Sequence, residues 1–225
     1  MIRQHLLSQG VFLRLGKNLD HFAEHIERAP ERYDLHDQFD PRGDLDGATS
    51  AFWVCGFDGD GNLVHTQAAK LLELGKRSIA DHVAAHLWNY NPKAQPLIKS
   101  SIKTMAGPKI SNIRGRVVYH GEMWLQKRLR DRGTPAIVNR LGMLLAVREW
   151  DPDAIFGPMS WTLACEGFNM RIGYHHSEPM TVTWQKKTGN AQHQLWAVFM
   201  ERDDIEFLLN LPAVEFSSAL RSKFA

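Results

Sequence analysis

The chain of 225 residues holds only two cysteines, Cys55 and Cys165. Each lies inside an apolar segment, so both are expected to be reduced and buried rather than bridged. The N-terminus lacks a long apolar run before a small-residue cleavage site, which argues against a signal peptide and for the cytoplasm. No segment reaches the roughly 18–20 apolar residues that a membrane span requires. A net charge of +2 is too small to imply a nucleic-acid or membrane partner, so any electrostatic role must come from local clusters. Internal repeats, low-complexity tracts and the Gly-x-Ser-x-Gly elbow of serine hydrolases are also missing. What remains is 44% hydrophobic and 23% charged residues, enough for a sizeable core.

Periodicity fills in the elements. Val11 to Leu15 is a plausible short strand, and Leu19, Phe22, Ala23 and Ile26 share one face of a helix over 18–28 that Pro30 terminates. Segment 31–50 is rich in aspartate, proline and glycine and reads as a polar loop that could wall an active site. Residues 51–57 and 63–68 flank Asp58-Gly59-Asp60-Gly61-Asn62 as a hairpin. Residues 78–90 form a helix opened by a Ser78/Asp81 capping box. Residues 92–113 are irregular, 116–125 a strand, and 135–149 a largely apolar helix with proline in its first turn. Short strands are expected at 154–157, 170–175, 179–186 and 194–200, with short helices at 159–166, 203–210 and 212–221. Helices between central strands and hairpins near the ends indicate an α+β (mixed α/β) fold with a mixed sheet and helices on its faces. No domain boundary is visible, so 1–225 reads as a single domain.

Two apparent metal motifs dissolve on inspection. The Asp58–Asn62 run imitates a calcium loop, but Leu63 and Ala69 stand where glycine and the bidentate glutamate are needed. His175 and His176, beside Glu178, should point to opposite faces of a strand, so no metal is expected. Among the seven tryptophans, Trp53, Trp124, Trp184 and Trp196 read as core, while Trp150 and Trp161 could line a pocket.

The segment with most chemical content is 116–136, a strand, a basic glycine-containing loop and a helix start. Backbone N–H groups and the positive end of a helix dipole are what a phosphate or pyrophosphate needs. Lys127, Arg128, Arg130 and Arg132 add cationic side chains. Nucleic acid fits the run less well, because no aromatic residues are interleaved with the charges. By strand alternation His120 and Glu122 share a face, and either could be a general base, directly or through water.

Arg130-Asp131-Arg132-Gly133-Thr134 is similar to the Arg/Gln-x-x-Gly-x-Gly/Ala loop of the GNAT superfamily of N-acetyltransferases, with Pro135 standing where that family has glycine or alanine. Downstream, Ile155-Phe156 and Leu163 to Phe168 resemble the strand and the short helix ending in Gly-Phe that follow in that family. The resemblance implies a mostly antiparallel central sheet flanked by helices and an acyl-CoA N-acyltransferase-like domain. It implies acetyl-CoA or another acyl-CoA as co-substrate, held by Met123, Trp124, Leu125, Arg128, Arg130, Arg132, Gly133, Thr134, Pro135 and Ala136. Many family members place a tyrosine where this chain has Leu163, as acid for the departing thiolate; here that role is absent or moved to Tyr174. Direct acyl transfer to a small-molecule amine is the implied reaction, with the oxyanion held by a backbone N–H beside a bulged position of the central strand, which the resemblance places at Gly121. Two alternatives stay open. One is an acyl-carrier-protein-dependent acyltransferase of the acyl-homoserine-lactone-synthase kind, for which the basic loop suits an acidic carrier. The other is a non-catalytic ligand-binding protein. A homodimer is compatible with any of these.

Overall fold

A computed structural model describes residues 2–43, 45, 47–86, 106–130, 133–185 and 192–210. In chain order the elements are α1 (Ile2–Ser8), β1 (Phe12–Gly16), α2 (Leu19–Glu27), a 3-10 turn (Asp37–Phe39), β2 (Ser50–Phe57), β3 (Leu63–Gly75), α3 (Ile79–Ala85), β4 (Gly115–Leu125), a second 3-10 turn (Lys127–Leu129), α4 (Thr134–Trp150), β5 (Ala154–Ser160), α5 (Trp161–Cys165), α6 (Phe168–Ile172), β6 (His176–Gln185), β7 (Gln192–Glu201) and α7 (Arg202–Asn210). The strands form one sheet of seven in the order β1-β2-β3-β4-β5-β7-β6. Among the described residues only the central β4–β5 pair is parallel, with α4 as its crossover; the other pairs are antiparallel. The architecture is the expected mixed, mostly antiparallel α+β sheet.

Alternating side chains divide the core between two faces. On one, Phe22, Ile26, Phe39 and Ile79 pack against Trp53, Leu72, Val117 and Phe156. On the other, Met143, Ala146, Trp150, Ile205 and Leu208 cover Phe52, Leu71, Val118, Ile155 and Met200. α4 is apolar around much of its circumference because it is buried between the sheet and α1 and α6.

Local chemistry explains most boundaries. Asn18 caps α2 by accepting from the backbone of Asp20 and His21. The Ser78/Asp81 capping box is fully formed, although helix residues 87–90 lie outside the described residues. Asp58 closes the β2–β3 hairpin by accepting from the backbone of Asp60 and Asn62. β3 runs much further than 63–68 because its second half pairs with both β2 and β4.

Several expectations need correction. The strand expected at 170–175 is the helix α6, bracketed by Gly167 and Gly173 in left-handed conformations that act as caps. Cys165 is exposed rather than buried; Cys55 is buried, and desolvation pushes its thiol up to about 12. Segment 31–43 is not a solvated loop, since Arg32, Leu35, Gln38, Phe39 and Asp40 are all buried. The proposed helix at 212–221 and loop residues 92–105 lie outside the described residues. Among the described residues no helix is long and apolar enough to cross a membrane.

Candidate active site

The sheet opens where its parallel pair ends. β4 and β5 are joined only from Val117 and Ala154 to Tyr119 and Phe156. Beyond that point β4 continues to Leu125 and β5 to Ser160 without pairing to each other. Two residues of β5 stand where the pairing ends. Gly157 lies so close to β4 that a Cβ there would collide with the carbonyl oxygen of His120. Pro158 follows, with no N–H to offer a ladder. The gap is a cavity of about 630 Å3 lined by residues 119–125 of β4, residues 157–160 of β5, Tyr174, and the apolar side chains of Leu163, Phe168 and Ile172.

β4 also bulges at this point. Trp124 pairs with Thr66 and Gly121 with Ala68, so Glu122 and Met123 together face Gln67. Glu122 takes φ 55, a left-handed conformation that side chains other than glycine rarely adopt. The bulge therefore sits one residue after Gly121, the position expected to carry it. The consequence corrects the alternation argument. His120 remains on the α4 face, while Glu122 is turned toward the opposite face and meets Arg32 and His36.

On the Arg32 side, the Glu122 carboxylate is 1% exposed and forms an ion pair with the fully buried Arg32 guanidinium. Its other oxygen accepts from the backbone N–H of His36 at 3.2 Å and from His36 Nδ1 at 2.8 Å. Burial alone would raise this carboxyl, but its hydrogen bond with His36 and the Arg32 guanidinium outweigh it and hold Glu122 below the usual carboxylate range. Arg32 also donates to Thr66 Oγ1 at 3.1 Å and to the Tyr33 carbonyl, and Thr66 in turn donates to the Glu122 carbonyl. The strained bulge is thus tied down through its main chain and its side chain.

On the α4 side lies a continuous chain of buried hydrogen bonds. Tyr174 Oη is 3.0 Å from His120 Nδ1, and His120 Nε2 is 3.0 Å from Gln67 Oε1. Gln67 Nε2 is 2.9 Å from the Val138 carbonyl and 3.1 Å from His65 Nε2, while His65 Nδ1 is 2.8 Å from the Trp124 carbonyl. The two carbonyls can only accept, so the network has one assignment. His65 donates through Nδ1, Gln67 donates twice through Nε2, His120 donates through Nε2, and Tyr174 donates to His120 Nδ1. Burial pushes both His65 and His120 down to about 4 and raises the Tyr174 hydroxyl, so all three are neutral.

This burial sets a pH dependence. Unfolded histidines titrate near 6.5, so below that value the unfolded chain binds more protons than the folded one. The stability held by the neutral pair is complete above pH 6.5 and is lost as pH falls from 6.5 toward 4, by a few kcal/mol for each histidine at about 1.4 kcal/mol per unit. Glu122 loses its own share lower still, as it protonates. The urea midpoint should stay level from pH 8 to 7 and drop steadily between 6.5 and 4; a level midpoint down to pH 5 contradicts the assignment.

The other expected site residues distribute as follows. Met123, Trp124, Leu125, Arg130 and Pro135 line the cavity with His120, Glu122 and Tyr174. Arg130 is anchored by donating from Nε to the Leu125 carbonyl at 2.8 Å. Arg128 is drawn away toward the β2–β3 turn, pairing with Asp58 at 3.3 Å and with Gln126. Gly133 is the left-handed N-cap of α4, and Thr134 and Ala136 are buried in its first turn. Arg132 lies outside the described residues.

Trp150 and Trp161 do not line the cavity: Trp150 stacks on Phe52 at 5.1 Å, and Trp161 packs on Trp196 at 5.2 Å. His175 and His176 are not kept apart, because His175 precedes β6 and so escapes the alternation; both rings reach Asp204, at 3.0 and 2.9 Å. Sequence reasoning missed Arg32, His36 and Gln67. The first two lie in an irregular segment without periodicity, and Gln67 sits in a strand whose alternation marks only a face.

No protein-family model matches the chain, and no characterised protein matches it in sequence. Among solved structures it is similar to FeeM, an N-acyl amino acid synthase from uncultured soil microbes, with 12% identity and a TM-score of 0.46 over 88% of this chain and 94% of that one. It is also similar to TofI in an apo form, with 15% identity and a TM-score of 0.45 over 91% and 98% of the two chains. A third is spermidine N-acetyltransferase from Vibrio cholerae in complex with CoA and spermine, with 8% identity and a TM-score of 0.45 over 88% and 99%.

Proposed function

We propose that this chain is an N-acyltransferase that takes its acyl group from a pantetheine thioester bound between β4 and β5. The observation that carries the reading is the cleft itself. Two parallel strands that part after Tyr119 and Phe156 leave peptide edges facing a cavity. An extended chain with amide groups can use such edges as an added strand would. Pantetheine is such a chain, and its thioester end would come to lie near the bulge and Tyr174.

Arg130 and the α4 N-terminus stand at the end of β4 where the cofactor's phosphates would emerge. Pro135 costs one N–H donor there but suits the first turn of a helix. Tyr174 is the candidate donor to the departing thiolate: its hydroxyl can rotate from His120 toward sulfur. His120 and Glu122 position rather than abstract, because the nitrogens of one and the carboxylate oxygens of the other are already engaged. The apolar wall formed by Met159, Leu163, Phe168 and Ile172 favours an acyl chain longer than acetyl. A carrier-protein thioester is the second reading, favoured by Lys127, which lies exposed in the turn after β4.

Calorimetric titration with acetyl-CoA, decanoyl-CoA and free CoA tests the donor. Decanoyl-CoA should bind most tightly, and Arg130→Ala should weaken all three about tenfold, close to the 1.4 kcal/mol of one charge-assisted contact. If none binds with a Kd below about 1 mM, or roughly 4 kcal/mol, the CoA donor is excluded. The decanoyl carrier-protein thioester is then the donor to test.

A further inference from the structure

We infer that His36 is the general base that accepts the proton of the incoming amine, with Glu122 as the carboxylate that orients it. The inference rests on the acyltransferase reading and assigns one of its roles. The cleft offers several titratable groups, and hydrogen bonding eliminates the others. His120 donates from Nε2 to Gln67 and accepts a hydrogen bond from Tyr174 at Nδ1, deep in the core. Both oxygens of Glu122 are engaged, and Arg32 beside it keeps the carboxylate ionised. Tyr33 is a phenol that burial and the neighbouring Glu122 carboxylate push up to about 12, so it cannot serve as a base near neutrality.

His36 differs from each. Its ring lines the cleft and is 41% exposed, so an amine from solvent can reach it. A carboxylate accepts only, so the 2.8 Å contact to Glu122 fixes a proton on Nδ1, and in the neutral ring the lone pair then sits on Nε2. Among the described residues nothing hydrogen-bonds Nε2. The backbone N–H of His36 binds the same carboxylate oxygen, and the Tyr33 ring packs edge-on at 5.1 Å, so the imidazole is held in one orientation. The carboxylate–imidazole pair with a free outer nitrogen is the arrangement by which a buried acid steers a histidine base. The charged and titratable groups facing His36 are Glu122, Arg32 and Tyr33. The left-handed bulge acquires a purpose here, because it alone turns Glu122 to this side of the sheet.

The step balances without a further reactant. The nitrogen lone pair forms the C–N bond as the thioester C–S bond breaks. The nitrogen proton passes to His36 Nε2, and the C–S electron pair leaves on sulfur as a thiolate.

The test follows thiol release from decanoyl-CoA, and from its carrier-protein thioester, with the amino acids and short polyamines as acceptors. His36→Ala should release thiol at least 100-fold more slowly, within the range of general base catalysis, while decanoyl-CoA binding stays within twofold. Added imidazole should restore part of the rate to His36→Ala but add nothing to the unaltered protein. Nitrogen NMR of the unaltered protein should place the His36 proton on Nδ1, and Glu122→Gln should shift the ring toward a tautomer mixture. Undiminished release in His36→Ala, no rescue by imidazole, or a proton on Nε2 overturns the assignment alone. No thiol release by the unaltered protein from either thioester overturns the acyltransferase reading and the assignment together.

Discussion

Replacing Arg32 by alanine is expected to destabilise the protein by about 3–5 kcal/mol, the cost of leaving a buried charge without its partner. Arg32 and Glu122 are 0% and 1% exposed, so the pair is shielded from bulk water. The loss would consume a large part of the roughly 5–15 kcal/mol that holds a typical domain together. Three contacts would go at once: the ion pair, the bond to Thr66 and the bond to the Tyr33 carbonyl. Without Arg32, burial raises the Glu122 carboxyl, so the penalty should shrink as pH falls and the group neutralises. The double variant Arg32→Met, Glu122→Gln removes both charges and should recover much of the loss. Urea unfolding at pH 7 and pH 5 measures all of this. A loss below about 1 kcal/mol for Arg32→Ala would mean that the pair behaves like an exposed one.

Gly157→Ala should close the cleft at its apex. The added methyl meets the main-chain oxygen of His120, not the tip of a flexible side chain, so β4 or β5 must shift to admit it. Overpacking of this kind costs about 1–3 kcal/mol. The larger effect should be functional, because the strands diverge from this point. Decanoyl-CoA should bind at least tenfold more weakly, about 1.4 kcal/mol. Gly59→Ala is the matching control, since its methyl would meet nothing within 4 Å. Calorimetry on the pair decides the matter: equal affinity in Gly157→Ala would show that the donor does not enter between these strands.

What the sequence revealed divides by the range of the forces involved. Caps and turns are local, so Ser78 with Asp81, the Asp58 hairpin and the proline-started α4 were all legible. The Gly133 helix start was legible only through family resemblance, and the same resemblance alone singled out Tyr174, which the structure sets on the cavity wall. The bulge was not, because a two-against-one register exists only once β3 is paired with β4. Without it, alternation assigns Glu122 to the wrong side and offers no reason to look at His36. The helix α6 was misread for a related reason: five residues between two left-handed glycines carry too little periodicity to tell helix from strand.

The chain of hydrogen bonds from Tyr174 to the Trp124 carbonyl runs in a single direction, each group donating to the next or receiving from the last. Direction yokes the positions together over evolutionary time. Glutamate in place of Gln67 would turn an acceptor toward the Val138 carbonyl and toward His65, and His65 could not reverse without losing Trp124. Phenylalanine at 174 would leave His120 Nδ1 without a donor in the core. Drift at Tyr174, His120, Gln67 and His65 is therefore expected to occur in concert, and a lineage that changed one of them alone would bear the mismatch until a second change relieved it.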